Sequence, residues 1–336
     1  MILNHPDRLL PPDTFTRVLA RELFENIEGL PIISPHGHCD PSWFSENKRF
    51  PDPAQLFVVP DHYVLRMLVS QGLTLNELGV QTLDGSLFEN DPQKIWKKFS
   101  ENYYLFRGTP TAMWLDYSFE KVFGIKELLT PATSDFYYSQ IEEKLSQPEY
   151  LPQALFDKFN IEVLSTTDSA ISDLSQHSDI KNCNWDGKII PTYRPDSVVD
   201  PQSREFKNNL VKLGELTNED IRSWDGYLNA HKSRRLFFKE MGATATDHGH
   251  PSARTENLSY KEAEQLYSRI LAEEFNSEEA DQFRGQMLTE MAKMSCEDGL
   301  VMQIHPGSRR NHSNKILNQF GLDKGFWFKI GFEIDS

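Results

Sequence analysis

Cysteine is scarce in this sequence, and the thiols lie far apart. Among 336 residues there are three cysteines, Cys39, Cys183 and Cys296, which are too few and too scattered for a disulfide framework. The sequence has no apolar run of about 18 residues that could span a membrane. The opening residues lack the basic and then apolar segments of a secretory signal. We therefore expect a soluble protein of the reducing cytoplasm.

An excess of positive charge is also missing. The chain has 50 acidic residues against 35 Lys and Arg, which gives a formal net charge of −15. A partner that is rich in phosphate, or an anionic membrane, requires a basic face on the protein. We therefore expect neither nucleic acid nor membrane as a partner, and an anionic substrate would need a local cationic site. The composition leaves open whether the chain forms a homo-oligomer.

The remaining composition is that of an ordinary globular protein. Hydrophobic residues make up 38% of the chain and charged residues 25%, a balance typical of soluble domains with an apolar core. The length fits one large α/β barrel with an insertion, or two packed domains. We find no internal repeat and no low-complexity tract.

Short β-rich runs alternate with long amphipathic stretches. Each run is apolar, is bounded by polar or turn residues and ends in charged, His or Gly residues. The predicted strands are residues 31–40, 161–168, 188–196, 242–250 and 300–307. Because helices separate the later runs, the pattern favours parallel βαβ units.

Helix signals are clearest between the last three predicted strands. Ser259 and Glu262 have the spacing of a capping box, and a second helix is predicted to start near Ser277. Apolar residues at helical spacing in this second helix are assigned to the core: Phe283, Met287, Leu288 and Met291. Upstream, residues 217–241 are predicted to be mostly helical.

One segment breaks the alternation of strands and helices. Residues 41–153 are largely helical and rich in loops and aromatic side chains, so we interpret them as an insertion after the first strand. Residues 1–40 and 154–325 are assigned to a partial α/β barrel, and residues 326–336 to an atypical C-terminal tail.

The first predicted strand ends in a pair of histidines, His36 and His38. Alternate residues of a strand project from the same face, so both imidazoles could bind one metal ion. Imidazole suits zinc and other divalent first-row ions. The motif alone also fits a polar turn, which is the more common structure. Asp40 followed by Pro41 fits a helix start, so Asp40 is interpreted as a cap and not as a third ligand.

Further polar residues stand at the ends of the other predicted strands. In an α/β barrel the carboxyl ends of all strands meet at one face, where such residues would form a pocket. The candidates are His36, His38, Asp168, Arg194, Asp196, Asp247, His248 and His305. Asp168 and Asp196 fit helix caps equally well.

Six ordered motifs together resemble uronate isomerase, the glucuronate isomerase branch of the amidohydrolase superfamily. They are His36-x-His38, Asp61-His62-Tyr63-Val64-Leu65-Arg66, Thr166-Thr167-Asp168, Pro191-Thr192-Tyr193-Arg194-Pro195-Asp196, Thr246-Asp247-His248-Gly249, and Gln303-Ile304-His305-Pro306-Gly307 followed by Arg310-Asn311. The resemblance extends from the N-terminus to about Gly325, and six motifs in matching order are far more specific than one.

The resemblance implies a (β/α)8-type metal-dependent hydrolase barrel and an aldose–ketose isomerase. The implied reactions convert D-glucuronate to D-fructuronate and D-galacturonate to D-tagaturonate through a cis-enediol. The implied cofactor is a divalent metal, with zinc expected, bound by His36, His38 and an Asp of the eighth strand. Catalytic roles fall to His305 and Tyr63. Substrate contacts are expected from Arg194, Arg310, Arg66, Asp247 and His248.

The chain departs from the family in its last part. It supplies about five βα units, so the barrel is expected to be incomplete, with open sheet edges and poor solubility. The missing section would carry the eighth-strand Asp, which makes the activity of this chain an open question. Two alternatives therefore stand beside the isomerase: an inactive truncated remnant, and a metal-dependent hydrolase of the same superfamily that activates water. The surroundings of Tyr63 and Arg194 argue against the hydrolase.

Overall fold

The computed structural model describes residues 4–309, 311–322, 324–325 and 328–329 of the chain. Within them, short parallel strands alternate with helices, so the predicted α/β class is confirmed. The strands are β1 (Ile32–Ser34), β2 (Ile161–Ser165), β3 (Asp168–Ser169), β4 (Lys188–Ile190), β5 (Tyr193–Arg194), β6 (Ala245–His248), β7 (Val301–Ile304), β8 (Ser308–Arg309) and β9 (Phe328–Lys329).

The helices differ widely in length, from one turn to six. They are α1 (Thr14–Glu25), α2 (Ser42–Glu46), α3 (Pro53–Phe57), α4 (His62–Ser70), α5 (Pro92–Glu101), α6 (Pro110–Tyr117), α7 (Ser134–Leu145), α8 (Pro152–Lys158), α9 (Ser175–Asn182), α10 (Asp196–Val199), α11 (Phe206–Thr217), α12 (Trp224–Glu240), α13 (Tyr260–Ala272), α14 (Ser277–Asp298) and α15 (Asn314–Phe320). Short 3-10 turns and one π-helical turn, Ser118–Val122, connect some of them.

The chain forms two compact units, and neither is continuous in sequence. Unit 1 comprises Met1–Pro31, Lys48–Lys158 and Arg310–Phe328. Unit 2 comprises Ile32–Asn47, Phe159–Arg309 and Lys329–Ser336. This division differs from the predicted one, since the first 31 residues group with the helical segment and not with the strands. The insertion was predicted at residues 41–153, whereas the helical part runs from Lys48 to Lys158.

Strands β1 to β7 of unit 2 pair in parallel and follow the order of the sequence. One sheet has the order β1-β2-β4, a second has β3-β5-β6-β7, and β8 pairs with β9 in a two-stranded sheet. Each of the five predicted strand segments contains a strand, but residues 161–168 and 188–196 are each split into two pieces. Pro191 lies at the second break, where it has no N–H to donate to a ladder. The order is that of successive units of an α/β barrel.

The core of unit 2 lies between the helices and the strands. The predicted stripe of α14 is buried, with Phe283, Met287, Leu288 and Met291 all at most 2% exposed. Tyr227 of α12 stacks on Tyr267 of α13 with ring centroids 4.6 Å apart. The capping box of α13 is present as predicted, and α14 begins at Ser277 as predicted. Apolar periodicity therefore located this core correctly.

The core of unit 1 is built largely from aromatic side chains of short helices. Trp96 and Phe99 of α5 lie 5.2 Å apart by ring centroids and are almost completely buried. Phe119 contacts Tyr137 edge-to-face at 5.1 Å. Such contacts are favourable arrangements for aromatic rings. The predicted helical and aromatic character of this segment is therefore present in the structure.

Candidate active site at the strand ends

His36 and His38 lie in the loop that follows β1, and not in the strand itself. The prediction of a strand through both residues is wrong, because β1 ends at Ser34 and Pro35 has no N–H to extend the ladder. The two rings nevertheless converge, with the Nε2 atoms 3.2 Å apart. The loop therefore achieves the convergence that was expected from strand alternation.

Gly37 allows this loop to lie close against the neighbouring strand. An added Cβ atom at Gly37 would lie 2.9 Å from the carbonyl oxygen of Ser165, a backbone atom that cannot move alone. The hydroxyl of Thr167 donates to the carbonyl of Gly37 over 2.8 Å. The loop that carries both histidines is thus held against Ser165 and Thr167, at and just after the end of β2.

Asp247, the third residue of β6, carries a buried carboxylate at the centre of the site. Its Oδ1 lies 2.7 Å from Nδ1 of His305 and 3.8 Å from Nδ1 of His36. Its Oδ2 lies 3.4 Å from a terminal nitrogen of Arg194. These approaches lack hydrogen-bond alignment, so neither oxygen has a hydrogen-bond partner in the described part of the chain. The Asp247 side chain has no exposed surface.

The charge of Asp247 follows from competing effects on its pKa. Burial alone would raise this pKa, but His305, Arg194 and His36 outweigh burial, so the pKa of Asp247 lies below its usual value. The carboxylate is therefore ionised at neutral pH. Burial, followed by the nearby His36 and Arg194, lowers the pKa of His38. His38 is thus neutral at neutral pH, the form that binds metals.

Arg194 at the end of β5 is held between two carboxylates. Its Nε donates to Oδ2 of Asp196 over 2.7 Å, in addition to the approach to Asp247. The N–H of Gly249 donates to both oxygens of Asp196, at 3.1 and 3.2 Å. A Cβ atom at Gly249 would overlap the guanidinium and lie 3.0 Å from Nε2 of His305. The glycine therefore lets Arg194, Asp196 and His305 pack directly against the backbone at this position.

Three aspartates at the ends of predicted strands have their own partners in the structure. Asp196 bonds Arg194 and Gly249, so it belongs to the site and is more than a helix cap. Asp168 accepts a 2.7 Å hydrogen bond from Thr166, whose Oγ1 also lies 2.8 Å from Nε2 of His177. Asp40 accepts from the N–H of Ser42, the first residue of α2, as its interpretation as a structural residue requires.

His248 is fully buried, whereas a substrate contact was expected from it. Side chains alternate along a strand, so His248 faces the opposite way from Asp247 and the same way as Thr246. Its Nε2 lies 2.9 Å from the Thr246 hydroxyl. Burial, followed by the nearby His250, lowers the pKa of His248 to about 3 and keeps the ring neutral. A role of His248 in substrate binding stays a prediction.

The other predicted substrate residues belong to unit 1. Tyr63 and Arg66 lie on α4, where the Arg66 guanidinium sits 5.6 Å from the centroid of the Tyr63 ring. The N-cap of α4, Asp61, accepts hydrogen bonds from the N–H groups of Tyr63 and Val64. Arg310 lies outside the described residues.

The donor set at the strand ends fits a divalent cation in part. Two zinc-bound nitrogens, each about 2.0–2.1 Å from a tetrahedral ion, lie roughly 3.4 Å apart, close to the 3.2 Å between His36 and His38. The carboxylate of Asp247, which Arg194 approaches on one side only, adds negative charge beside the histidine pair. In the described residues, no three or more His, Cys, Asp or Glu side chains are arranged to hold a metal ion. Within the part of the chain that the structure describes, His36 and His38 are therefore the two convergent nitrogen ligands.

Sequence reasoning missed one member of this cluster, Gln303 of β7. Its Oε1 lies 3.0 Å from Nδ1 of His36. The available signal was its spacing of two from His305, which puts both side chains on one face of an extended segment.

Parallel strands whose ends gather histidine, arginine and carboxylate groups define an enzyme site of the α/β class. The glucuronate isomerase family model matches residues 13–333. The uronate isomerase of Rhizobium meliloti (strain 1021) is 56% identical over 96% of this chain and 69% of its own length. That of Mesorhizobium japonicum is 53% identical over the same shares. The chain belongs to the glucuronate isomerase family.

Solved structures agree with this assignment. The glucuronate isomerase of Caulobacter crescentus has a TM-score of 0.96 and 46% identity, covering all of this chain and 70% of that one. The uronate isomerase of Thermotoga maritima has a TM-score of 0.88 and 28% identity, covering 99% of this chain and 70% of that one. The isomerase interpretation is thus confirmed at the level of the family, and no finding favours the hydrolase or the inactive remnant.

Membrane insertion finds no support in the helices. Among the described residues, none of them combines the length and apolar character that crossing a bilayer would require.

Proposed function

We propose that this chain interconverts D-glucuronate with D-fructuronate, and D-galacturonate with D-tagaturonate. The observation that carries the proposal is the convergence of His36, His38, Arg194 and His305 around the buried carboxylate of Asp247. The reaction moves one proton from C2 to C1 and one between the two oxygen atoms, so it needs no co-reactant. Positioned acids, bases and cations suffice for such a step.

A divalent metal, with zinc as the expected ion, would be held by His36 and His38. When bound, it would supply positive charge that stabilises the oxyanion developing on the substrate. The charges of this chain favour such a cation, because Asp196 and Asp247 carry two negative charges against one on Arg194. The neutral form of His38 is ready to bind it.

Arg194 would recognise the carboxylate of the sugar acid. A guanidinium is a planar donor with several N–H groups, so it can bond Asp196 through Nε and still present its terminal nitrogens to another carboxylate. Asp196 fixes the orientation of the side chain through the 2.7 Å bond. The absence of a side chain at Gly249 allows the guanidinium to lie against the backbone there.

His305 would move the proton. The Asp247 carboxylate, 2.7 Å from Nδ1, favours a proton on that nitrogen and leaves Nε2 to accept or donate. Nε2 lies beside Gly249, 3.0 Å from the position a Cβ atom would take, on the same side as the Arg194 guanidinium. Tyr63 is proposed as a second catalytic group, and Arg66, Arg310, Asp247 and His248 as substrate-binding residues, on the strength of the family resemblance.

The test is turnover of D-glucuronate by the purified, zinc-supplemented chain in D2O. Proton NMR should report formation of D-fructuronate and loss of the C2 proton signal. Chelation should abolish turnover, and zinc should restore it. His36→Asn and His38→Asn should both be inactive, while His5→Asn, at an exposed position, should retain wild-type activity.

Two outcomes would contradict the proposal. A folded, zinc-loaded chain that turns over neither uronate would support the inactive remnant. Hydrolysis of an ester or lactam panel without isomerisation would support the hydrolase.

A further inference from the structure

Gln303 faces the site from the strand next to Asp247. In the parallel ladder of β6 and β7, Asp247 is the register partner of Gln303. Side chains of register partners project from the same side of a sheet, and His305 follows two residues after Gln303. The amide of Gln303 is therefore carried to the side of the sheet where Asp247 and His305 meet.

The amide bridges the backbone before His36 and the ring of His36. Its Nε2 donates to the carbonyl oxygen of Pro35 over 2.8 Å. Its Oε1 lies 3.0 Å from Nδ1 of His36. Because a backbone carbonyl only accepts hydrogen bonds, the NH2 group must face Pro35, and the amide oxygen must then face the imidazole.

This orientation determines the tautomer of His36. An amide oxygen only accepts, so Nδ1 of His36 must carry the proton in the 3.0 Å hydrogen bond. The carboxylate of Asp247, 3.8 Å from the same nitrogen, also favours a proton there. In the neutral ring, Nε2 of His36 is then left with a lone pair. That lone pair faces Nε2 of His38, 3.2 Å away.

We propose that Gln303 is a positioning residue that fixes His36 as the Nδ1–H tautomer and aims its Nε2 lone pair at the metal. The metal part rests on the proposed function, whereas the tautomer is a property of the metal-free chain. Partners of this kind orient metal-binding histidines and raise their basicity. The bond to Pro35 fixes the amide itself, so that the acceptor is in place before a metal arrives.

The experiment compares two substitutions with opposite hydrogen-bonding abilities. Gln303→Leu has a similar size and neither donates nor accepts. Gln303→Glu keeps an acceptor for Nδ1 of His36 but cannot donate to the carbonyl of Pro35 when ionised. Gln265→Leu, at an exposed position of α13, is the matched control. Circular dichroism confirms that each variant is folded.

The first measurement is nitrogen-15 NMR of histidine in the metal-free protein. The wild type and Gln303→Glu should show His36 with a protonated Nδ1 and a bare Nε2, and Gln303→Leu should show a mixture of tautomers. The second measurement is zinc affinity by competition with a chelator. Gln303→Leu should bind zinc about 10- to 100-fold more weakly, and Gln303→Glu should stay close to the wild type.

Two results would overturn the proposal. One is a wild-type His36 whose Nδ1 lacks the proton. The other is an equal loss of zinc affinity in both variants, since the link to Pro35 would then be the part that matters. A wild type that binds no zinc would contradict the proposed function, and the spectra of the metal-free protein would still decide the role of Gln303.

Discussion

Gly37 is the residue on which the geometry of the histidine pair most directly depends. A methyl group at this position would collide with the carbonyl oxygen of Ser165, so Gly37→Ala must displace the loop. We expect zinc affinity to fall by about 10-fold or more, the scale seen when ligand orientation is disturbed. Chelator competition measures this. Gly29→Ala is the control, since a Cβ atom there meets nothing within 4 Å, and equal affinities in both variants would refute the prediction.

Arg194 tests the recognition of the substrate carboxylate. Lysine would keep the positive charge, but it cannot bond Asp196 and bind a second carboxylate with a fixed planar group. The loss of one charged hydrogen bond, about 1.5–3 kcal/mol, corresponds to a decrease of roughly 10- to 100-fold in kcat/KM. Steady-state kinetics of Arg194→Lys with D-glucuronate measure this loss.

The control for Arg194 is an arginine that pairs at the surface. Arg222 bonds Asp220 with its side chain 83% exposed, so Arg222→Lys should leave kcat/KM unchanged. A wild-type kcat/KM in Arg194→Lys would remove this residue from the proposed site.

His231 links stability to pH. It is fully buried, with Nδ1 2.7 Å from the Tyr193 hydroxyl. Burial, followed by Arg235, lowers the pKa of His231 to about 3, while an unfolded histidine titrates near pH 6.5. Between these values the unfolded chain binds the additional proton, so acid destabilises the fold by up to about 1.4 kcal/mol per pH unit.

His231→Gln should therefore flatten the decrease in stability as the pH falls below about 6.5. Urea unfolding at several pH values measures this slope. The control is His5→Gln, because His5 is exposed and its replacement should leave the slope as it is. If the slope of His231→Gln equals that of the wild type, His231 does not contribute to the acid sensitivity.

The sequence predicted which residues meet at this site better than it predicted how they meet. Arg194, Asp247 and His305 converge because they lie at or next to the carboxyl ends of parallel strands, as expected. The spacing of two from His305 indicated which face Gln303 shares, but its place beside Asp247 depends on the register of β7 against β6, which the sequence does not reveal. The orientation of His248 was predictable, since side chains alternate along a strand and His248 must therefore face away from Asp247.

At the scale of elements, the capping box of α13 offers a local test. The hydroxyl of Ser259 accepts from the N–H of Glu262, and the Glu262 carboxylate accepts from the N–H of Ser259 over 2.9 Å. Ser259→Ala should lower the free energy of unfolding by about 1 kcal/mol. Urea denaturation measures it, and Ser268→Ala, on the exposed face of the same helix, should have a smaller effect. Equal effects would contradict the assigned cap.

Boundaries of elements were less predictable than their existence. Cap residues and apolar periodicity located α13 and α14, because those signals are local. The breaks between β2 and β3 and between β4 and β5 depend on neighbours. The N–H of Thr166 bonds Ile190 and the N–H of Asp168 bonds Thr192, on either side of Pro191. Hydrogen bonds between two strands cannot be predicted from the residue pattern of either strand alone.

At the scale of the whole molecule, each unit has its own aromatic core. Phe99 in unit 1 is fully buried and Phe283 in unit 2 is 1% exposed. Replacing either by alanine should lower the free energy of unfolding of its unit by about 3–5 kcal/mol. Hydrogen exchange measured by segment reports the loss. Phe15→Ala, at a side chain that is 79% exposed, should change stability by less than about 0.5 kcal/mol.

Membership of the two units was the part of the fold that the sequence did not reveal. The first 31 residues stand directly before β1, so continuity assigned them to the strands. They group instead with Lys48–Lys158. The amphipathic pattern of α1 predicts that the helix has an apolar face. It does not predict which part of the chain packs against that face.

The pairing of β1 with β2 also determines when the first strand can fold during translation. Ile32 pairs with Ile161, so the ribosome must make the whole of Lys48–Lys158 before the first strand meets its partner. Until then, the backbone groups of the segment around Ile33 have no strand partner. The histidine loop rests on Thr167. It therefore acquires its shape late, after the helical segment has left the ribosome.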